Sequence, residues 1–300
     1  MIVPFVLLTI LILLAASFYF ARVALYPKKF DVTYTLNHEI EAGHIVEDEY
    51  QPWPKEEVRI RSPYGYDLFA IYHPCEGSQK TVVIAHGITW NLYGSVKYAI
   101  LFRKRGFNVL LYDHRNHGRS GGSNTTFGYY EKHDLKAVVD WAFERLGPGG
   151  RVGTLGESLG GATVLQHAAI DPRISFVIAD CPFSDLVSLF TYRMGVEYHL
   201  PPFPLLNVAS LVSWLLTGMR FEQVSPMRGM ANLETPVMFV HGKEDRYILP
   251  EMSIAMYQAK KHGARKLYLA PNAKHAESLS KNRVEYDKQV GEFIKEINLA

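Results

Sequence analysis

From residue 55 onward the chain alternates short apolar runs with longer stretches whose apolar residues recur at helical spacing. Thr81–Ala85, Asn108–Tyr112, Ser175–Ala179, 236–240 and 266–270 are brief apolar runs bounded by turn residues, the pattern of strands buried on both faces. Helices are predicted over Ser95–Arg105, Tyr130–Leu146, 251–262 and Arg283–Ile297. A further strand and helix fall at 151–170. Val58–Arg61 and Asp67–Tyr72 flank Pro63-Tyr64-Gly65 and read as a hairpin. Alternating β and α units predict an α/β fold with a mostly parallel sheet covered by helices.

Two stretches break this rhythm. Ile2–Ala21 is a run of 20 residues without a charge. At about 1.5 Å per residue such a helix spans the roughly 30 Å hydrocarbon core of a bilayer. No basic residue precedes it, and Phe18-Tyr19-Phe20 is bulky where a cleavage site needs small residues, so an uncleaved anchor is expected over residues 1–22. Arg22, Lys28 and Lys29 follow, which places the remainder on the cytoplasmic side by the positive-inside tendency. Residues 23–54 form a polar, acidic connector with helical character, and 55–300 form the α/β domain. Within it, 182–228 carries two apolar-rich helices, Phe183–Leu200 and Leu205–Met219, separated by Pro201-Pro202-Phe203-Pro204.

Composition narrows this picture only slightly. A net charge of +2 gives no argument for nucleic acid. Arg103-Lys104-Arg105 before Gly106 reads as the basic end of a helix with a glycine cap. The two cysteines, Cys75 and Cys181, make no disulfide framework. No G-x-G-x-x-G follows the first strand and no Walker A motif is present, so a dinucleotide-binding fold is poorly supported; the serine chemistry described next needs no cofactor, and none is expected.

The chemistry concentrates at Gly156-Glu157-Ser158-Leu159-Gly160, a G-x-S-x-G between an apparent strand and an apparent helix. A serine on such a turn is held out of the sheet with its hydroxyl exposed. It needs a base to take its proton and an acid to orient that base, in the chain order Ser, acid, His. Asp245 follows the strand at 236–240, and His275 follows the strand at 266–270. Both lie past the carboxyl ends of strands, the edge where open parallel sheets bind ligands. Glu244 is the neighbouring alternative acid, and Asp180 a more distant one. Each signal is weak alone, since an Asp after a strand is usually a turn residue. Their order and common edge give them weight.

With His86-Gly87, Asp113-His114-Arg115-Asn116-His117-Gly118, the serine turn, His241–Asp245 and His275 in sequence, the chain resembles the α/β-hydrolase superfamily over about residues 55–300. It is most similar to the single-span, membrane-anchored bacterial hydrolases of lipase-, esterase- or serine-aminopeptidase-like type. The resemblance implies an oxyanion hole from the backbone N–H groups of Leu159 and Ile88, and a cap over the site at 182–228. It also makes Asp113, His114 and His117 a structural loop and not metal ligands, and no metal is expected. Gly87 is followed by Ile88-Thr89-Trp90-Asn91 and not by further glycines, so the acyl pocket is left undefined. Trp90 and Asn91 either line it or pack the loop. The expected function is a serine hydrolase cleaving small-molecule or lipid esters through Ser158, His275 and Asp245. Thioesterase, small-peptide aminopeptidase and non-catalytic membrane scaffold are the alternatives.

Overall fold

The computed structural model describes residues 2–300. Its strands are β1 Glu56–Arg61, β2 Asp67–His73, β3 Lys80–Ala85, β4 Asn108–Tyr112, β5 Arg151–Glu157, β6 Phe176–Asp180, β7 Val237–Gly242 and β8 Arg265–Ala270. They form one sheet in the order β1-β2-β4-β3-β5-β6-β7-β8. β2 pairs antiparallel with β1 and β4, and the other neighbours are parallel.

Helices α1 Ile2–Leu25, α2 Val32–Glu41 and α3 Glu47–Tyr50 precede the sheet. α4 Val96–Arg103, α5 Glu131–Leu146, α6 Leu159–Ala168, α7 Leu186–Arg193, α8 Leu205–Thr217, α9 Pro250–Ala259, α10 Ser278–Lys281 and α11 Arg283–Glu296 follow. Successive strand side chains point to opposite faces. Val82, Ile84, Leu111 and Ile178 pack with α4 and α11, while Val83, Leu110, Val177 and Phe239 pack with α5, α6 and α9. Helices therefore cover both faces, and β3, β4, β6 and β7 are apolar almost throughout for that reason.

β4 lies on one side of β3 and β5 on the other, so the winding direction reverses between β3 and β5. A crevice opens at the carboxyl ends of strands at such a reversal. His86-Gly87 leaves β3 there, and Ser158 leaves β5.

Residues 182–228 lie between β6 and β7, as expected, but their first helix is shorter than Phe183–Leu200. α7 ends at Arg193, widens into a π-turn over Met194–Tyr198 and stops at His199 in the left-handed region. Pro201 and Pro202 bar continuation. α1 is long and apolar enough, by length and composition, to cross a membrane. Its last turns are not free: Ser17, Ala21 and Leu25, spaced four apart on one face, are buried against α7, α8 and the loops around them. Ser17 Oγ donates to Leu205 O at 3.2 Å. The segment after α1 is also packed, because Ile45 and Tyr50 enter the core beneath α4.

Candidate active site

Ser158 sits between β5 and α6 with φ 55°, a left-handed conformation costly for a side chain with a Cβ. Its surroundings enforce it. The Ser158 N–H donates to Asp180 O at 2.8 Å. A Cβ on Gly156 would sit 2.2 Å from Gly160 C, and one on Gly160 would sit 2.1 Å from Ala85 O. Only glycine lets strand and helix pass this closely, which is the physical content of the pentapeptide. Behind the turn, the buried Lys97 Nζ lies 2.5 Å from Glu157 Oε2. The Tyr98 hydroxyl lies 2.6 Å from the same oxygen and 3.0 Å from Asp180 Oδ2. These contacts tie the ends of β5 and β6 to α4.

The three residues singled out from order and edge meet. His275 Nε2 lies 2.9 Å from Ser158 Oγ, and His275 Nδ1 lies 2.7 Å from Asp245 Oδ2. Asp245 Oδ1 accepts from the Tyr247 and Ile248 N–H groups at 2.8 and 3.0 Å. Oδ2 also faces His241 Nε2 at 3.2 Å. Burial opposes ionisation of Asp245, but the His241 and His275 hydrogen bonds outweigh it and hold the carboxyl well below the usual carboxylate range. An ionised Asp245 accepts from Nδ1–H, which leaves the Nε2 lone pair to accept from the Ser158 hydroxyl. The alternative acids are elsewhere. Glu244 is exposed. Asp180 is buried against Tyr98, and burial followed by the neighbouring Glu157 pushes its carboxyl up.

The β3 turn lies against the serine turn, since a Cβ on Gly87 would be 3.7 Å from Ser158 Cβ. His86 Nε2 accepts from the His114 N–H at 2.9 Å, so its proton is on Nδ1, which donates to Gly87 O at 2.7 Å. In a trans peptide C=O and N–H point in opposite directions. Pinning Gly87 O therefore turns the Ile88 N–H away from His86. Leu159 is the first residue of α6, and its N–H has no helical acceptor. Burial, then His114 and His117, hold the His86 imidazole well below its usual range, so it is neutral.

Ser158 opens into a cavity of about 430 Å³ lined mostly by apolar side chains, among them Ile88, Leu159, Phe183 and Phe221. Trp90 and Asn91 do not line it. Asn91 is buried, accepts from the Tyr93 N–H at 3.2 Å and donates to Thr35 Oγ1 at 2.7 Å. Trp90 packs on Phe30 and His38, with ring centroids 5.1 and 5.0 Å away. Of the two roles considered for this pair, the structure corrects pocket lining to loop packing: they clamp the β3 turn onto α2.

Three features were not legible in the sequence. His86 and His241 stand in the sequence as parts of motifs, but nothing there shows that the His86 ring joins Gly87 O to the His114 N–H or that the His241 ring faces Asp245. Residues 20–28 supply six lining residues of the cavity, and nothing local in the sequence marks them. Cys181 lies with its sulfur within 4.8 Å of ligand atoms on Asp245 and His275. Burial, then Asp180 and Glu157, push its thiol well above the usual range, so it is neither thiolate nucleophile nor a suitable metal ligand.

The model of the X-Pro dipeptidyl-peptidase (S15) family matches residues 34–203, more than half of the chain. The chain belongs to this family. It is 38% identical over 287 residues to the "Uncharacterized protein YqkD" of Bacillus subtilis (strain 168), covering 95% of this chain and 94% of that one. Among solved structures, the Pyrococcus furiosus esterase Pf2001 is 25% identical with TM-score 0.66, covering 84% of this chain and 96% of its own. Est1E of Butyrivibrio proteoclasticus, solved with ferulic acid bound, is 21% identical with TM-score 0.64, covering 81% of this chain and 100% of its own. The fold is the α/β-hydrolase fold, and the chain is a hydrolase of the serine-hydrolase type.

Proposed function

We propose that the chain is a membrane-tethered serine esterase for lipophilic carboxylic esters, anchored by residues 1–22 through the connector 23–54, with the catalytic domain 55–300 on the cytoplasmic side. One observation carries the reading: the Ser158–His275–Asp245 chain of hydrogen bonds presents Ser158 to a largely apolar cavity. Ser158 Oγ attacks the acyl carbon while its proton passes to His275 Nε2. Asp245 holds the tautomer and faces the imidazolium. The carbonyl oxygen gains negative charge between the Ile88 and Leu159 N–H groups. His275 returns the proton to the departing alcohol, and water repeats the sequence to release the acid.

The family match brings a second reading, removal of an X-Pro dipeptide from a peptide amino terminus. That reaction needs a carboxylate to hold the substrate ammonium. Among the residues lining the cavity Glu197 is the only acid, and it is paired with Arg193. The apolar cavity therefore favours the ester. The test is a fluorophosphonate probe with site mapping, followed by p-nitrophenyl esters, acyl-CoA thioesters and Gly-Pro anilide as substrates. Labelling at Ser158 and its loss in Ser158→Ala are expected, with kcat falling about 10⁶-fold. Labelling elsewhere, or turnover of the anilide above the esters, overturns the reading.

A further inference from the structure

The cavity is not closed by the α/β domain and its cap alone. Phe20, Val23 and Ala24 of α1, with Tyr26, Pro27 and Lys28 just beyond it, also line it. Phe20 meets Tyr198 of the π-turn edge-on, ring centroids 4.8 Å apart. Among the exposed lining residues, Val23 at 46% and Tyr26 at 38% belong to α1 and the segment just after it, Tyr198 at 41% belongs to the cap, and Tyr247 at 41% belongs to the loop after β7. They mark the rim, which runs along α1 and the cap and reaches the β7 loop.

The rim lies at the edge of the hydrocarbon if α1 spans a bilayer, since Phe20 is inside the apolar run and Val23 and Tyr26 just follow it. Arg22 is the first charge after the apolar run. Ser17, which bonds Leu205, stands about 7 Å further into the run at 1.5 Å per residue. Close to this contact in sequence, two residues before Leu205, Phe203 of the cap is 74% exposed. Surface of this kind beside a spanning helix is covered by lipid, since no polar partner could satisfy it better.

We propose that the end of α1 is one wall of the acyl-binding cavity, and that the substrate is a single-chain acyl ester resident in the bilayer, entering between α1 and the cap with its chain already in hydrocarbon. This rests on the serine-esterase reading above. A cavity of about 430 Å³ is near the small end of ligand pockets and takes one chain, not two. The anchor is thus a specificity element, and a chain shortened to begin near residue 30 lacks part of its own substrate site.

The test uses the full chain in phosphatidylcholine vesicles with ethyl and dodecyl fluorophosphonates. Labelling of Ser158 tests the esterase reading, and the ratio of the two rates tests the wall. Wild type is expected to label faster with the dodecyl probe. Ala24→Trp fills the wall and lowers the dodecyl-to-ethyl ratio about tenfold, while Ala15→Trp, on an exposed position of the same helix, leaves it at the wild-type value. Should Ala24→Trp fail to fold, Phe20→Ala lowers the ratio about threefold by removing contact without overpacking. An unchanged ratio in the folded wall variants, or an equal fall in Ala15→Trp, overturns the inference with the esterase intact. Absence of Ser158 labelling by either probe in wild type overturns both.

Discussion

Two groups of residues at and behind the cavity wall are held by different forces. In one, Ser158, His275, Asp245 and His86 are each fixed by directional hydrogen bonds from at least two segments. In the other, Phe20, Ala24 and Leu206 meet apolar neighbours without fixed direction. Hydrogen bonding holds the reacting half within the few tenths of an ångström that proton transfer requires. Apolar contact fills the other half, where shape matters and orientation does not. A substitution in the first group should change kcat, and one in the second should change which acyl group is accepted.

The sharpest way to break this comparison is Asp245→Asn beside Glu244→Gln. Asp245→Asn removes the charge that faces the imidazolium and offers Nδ1 the wrong partner. By analogy with serine proteases, kcat should fall about 10⁴-fold with the fold intact. Glu244 is exposed and touches neither His275 nor Ser158. Its variant should keep kcat within about twofold of wild type, as ordinary surface changes do. Steady-state kinetics on a p-nitrophenyl ester checks both. A larger loss from Glu244→Gln would reassign the acid.

The same contrast explains what the sequence made legible. Buried parallel strands must be apolar at nearly every position, so β3, β4, β6 and β7 stood out. The serine turn needs glycine at 156 and 160 because backbone passes within van der Waals contact there, and that leaves a mark in the sequence. Asp245 and His275 were found by order along the chain. The wall left no such mark, because α1 reaches the cavity only through tertiary packing, and an apolar run serves a lipid face and a pocket face alike. Trp90 and Asn91 show the converse. They are close to the Gly87-Ile88 turn in sequence, but their side chains turn away to α2.

A smaller effect is expected from His86→Phe. The ring volume is kept, but Gly87 O loses its donor, and the Ile88 peptide is no longer pinned. Losing an oxyanion donor outright costs about 10²–10³ in kcat, so disorienting one should cost toward about 10² with KM changed little. A change in KM alone would place His86 in substrate binding and dissolve the division between the two halves.

The smallest effect concerns acid. Burial, then the His117 imidazole, holds His114 down to about 3; burial leads in His117 and His73, each held to about 4, and His86 is also well below its usual range. The folded chain keeps these four neutral, while the unfolded chain protonates them near pH 6.5. Their contribution is complete above about pH 6.5 and is lost as pH falls toward 4, because the unfolded state then binds more protons. Asp113 and Asp134 act in the opposite sense. Burial pushes both up to about 6, so between 6 and the ordinary carboxylate value the folded state takes up their protons first. His133 and His167, also held down by burial, add to the loss, and Asp180, pushed up by burial, joins the carboxyls that offset it; the imidazoles outnumber the carboxyls, so stability falls between pH 7 and pH 5. Urea unfolding of the detergent-solubilised chain at pH 7 and pH 5 measures this. The rings of His86, His114 and His117 meet edge to face, and His86 bonds Gly87 O, so the loss should fall on the hydrogen-bonded half. Stability that is level or higher at pH 5 would mean that neutral histidines do not hold that half in place.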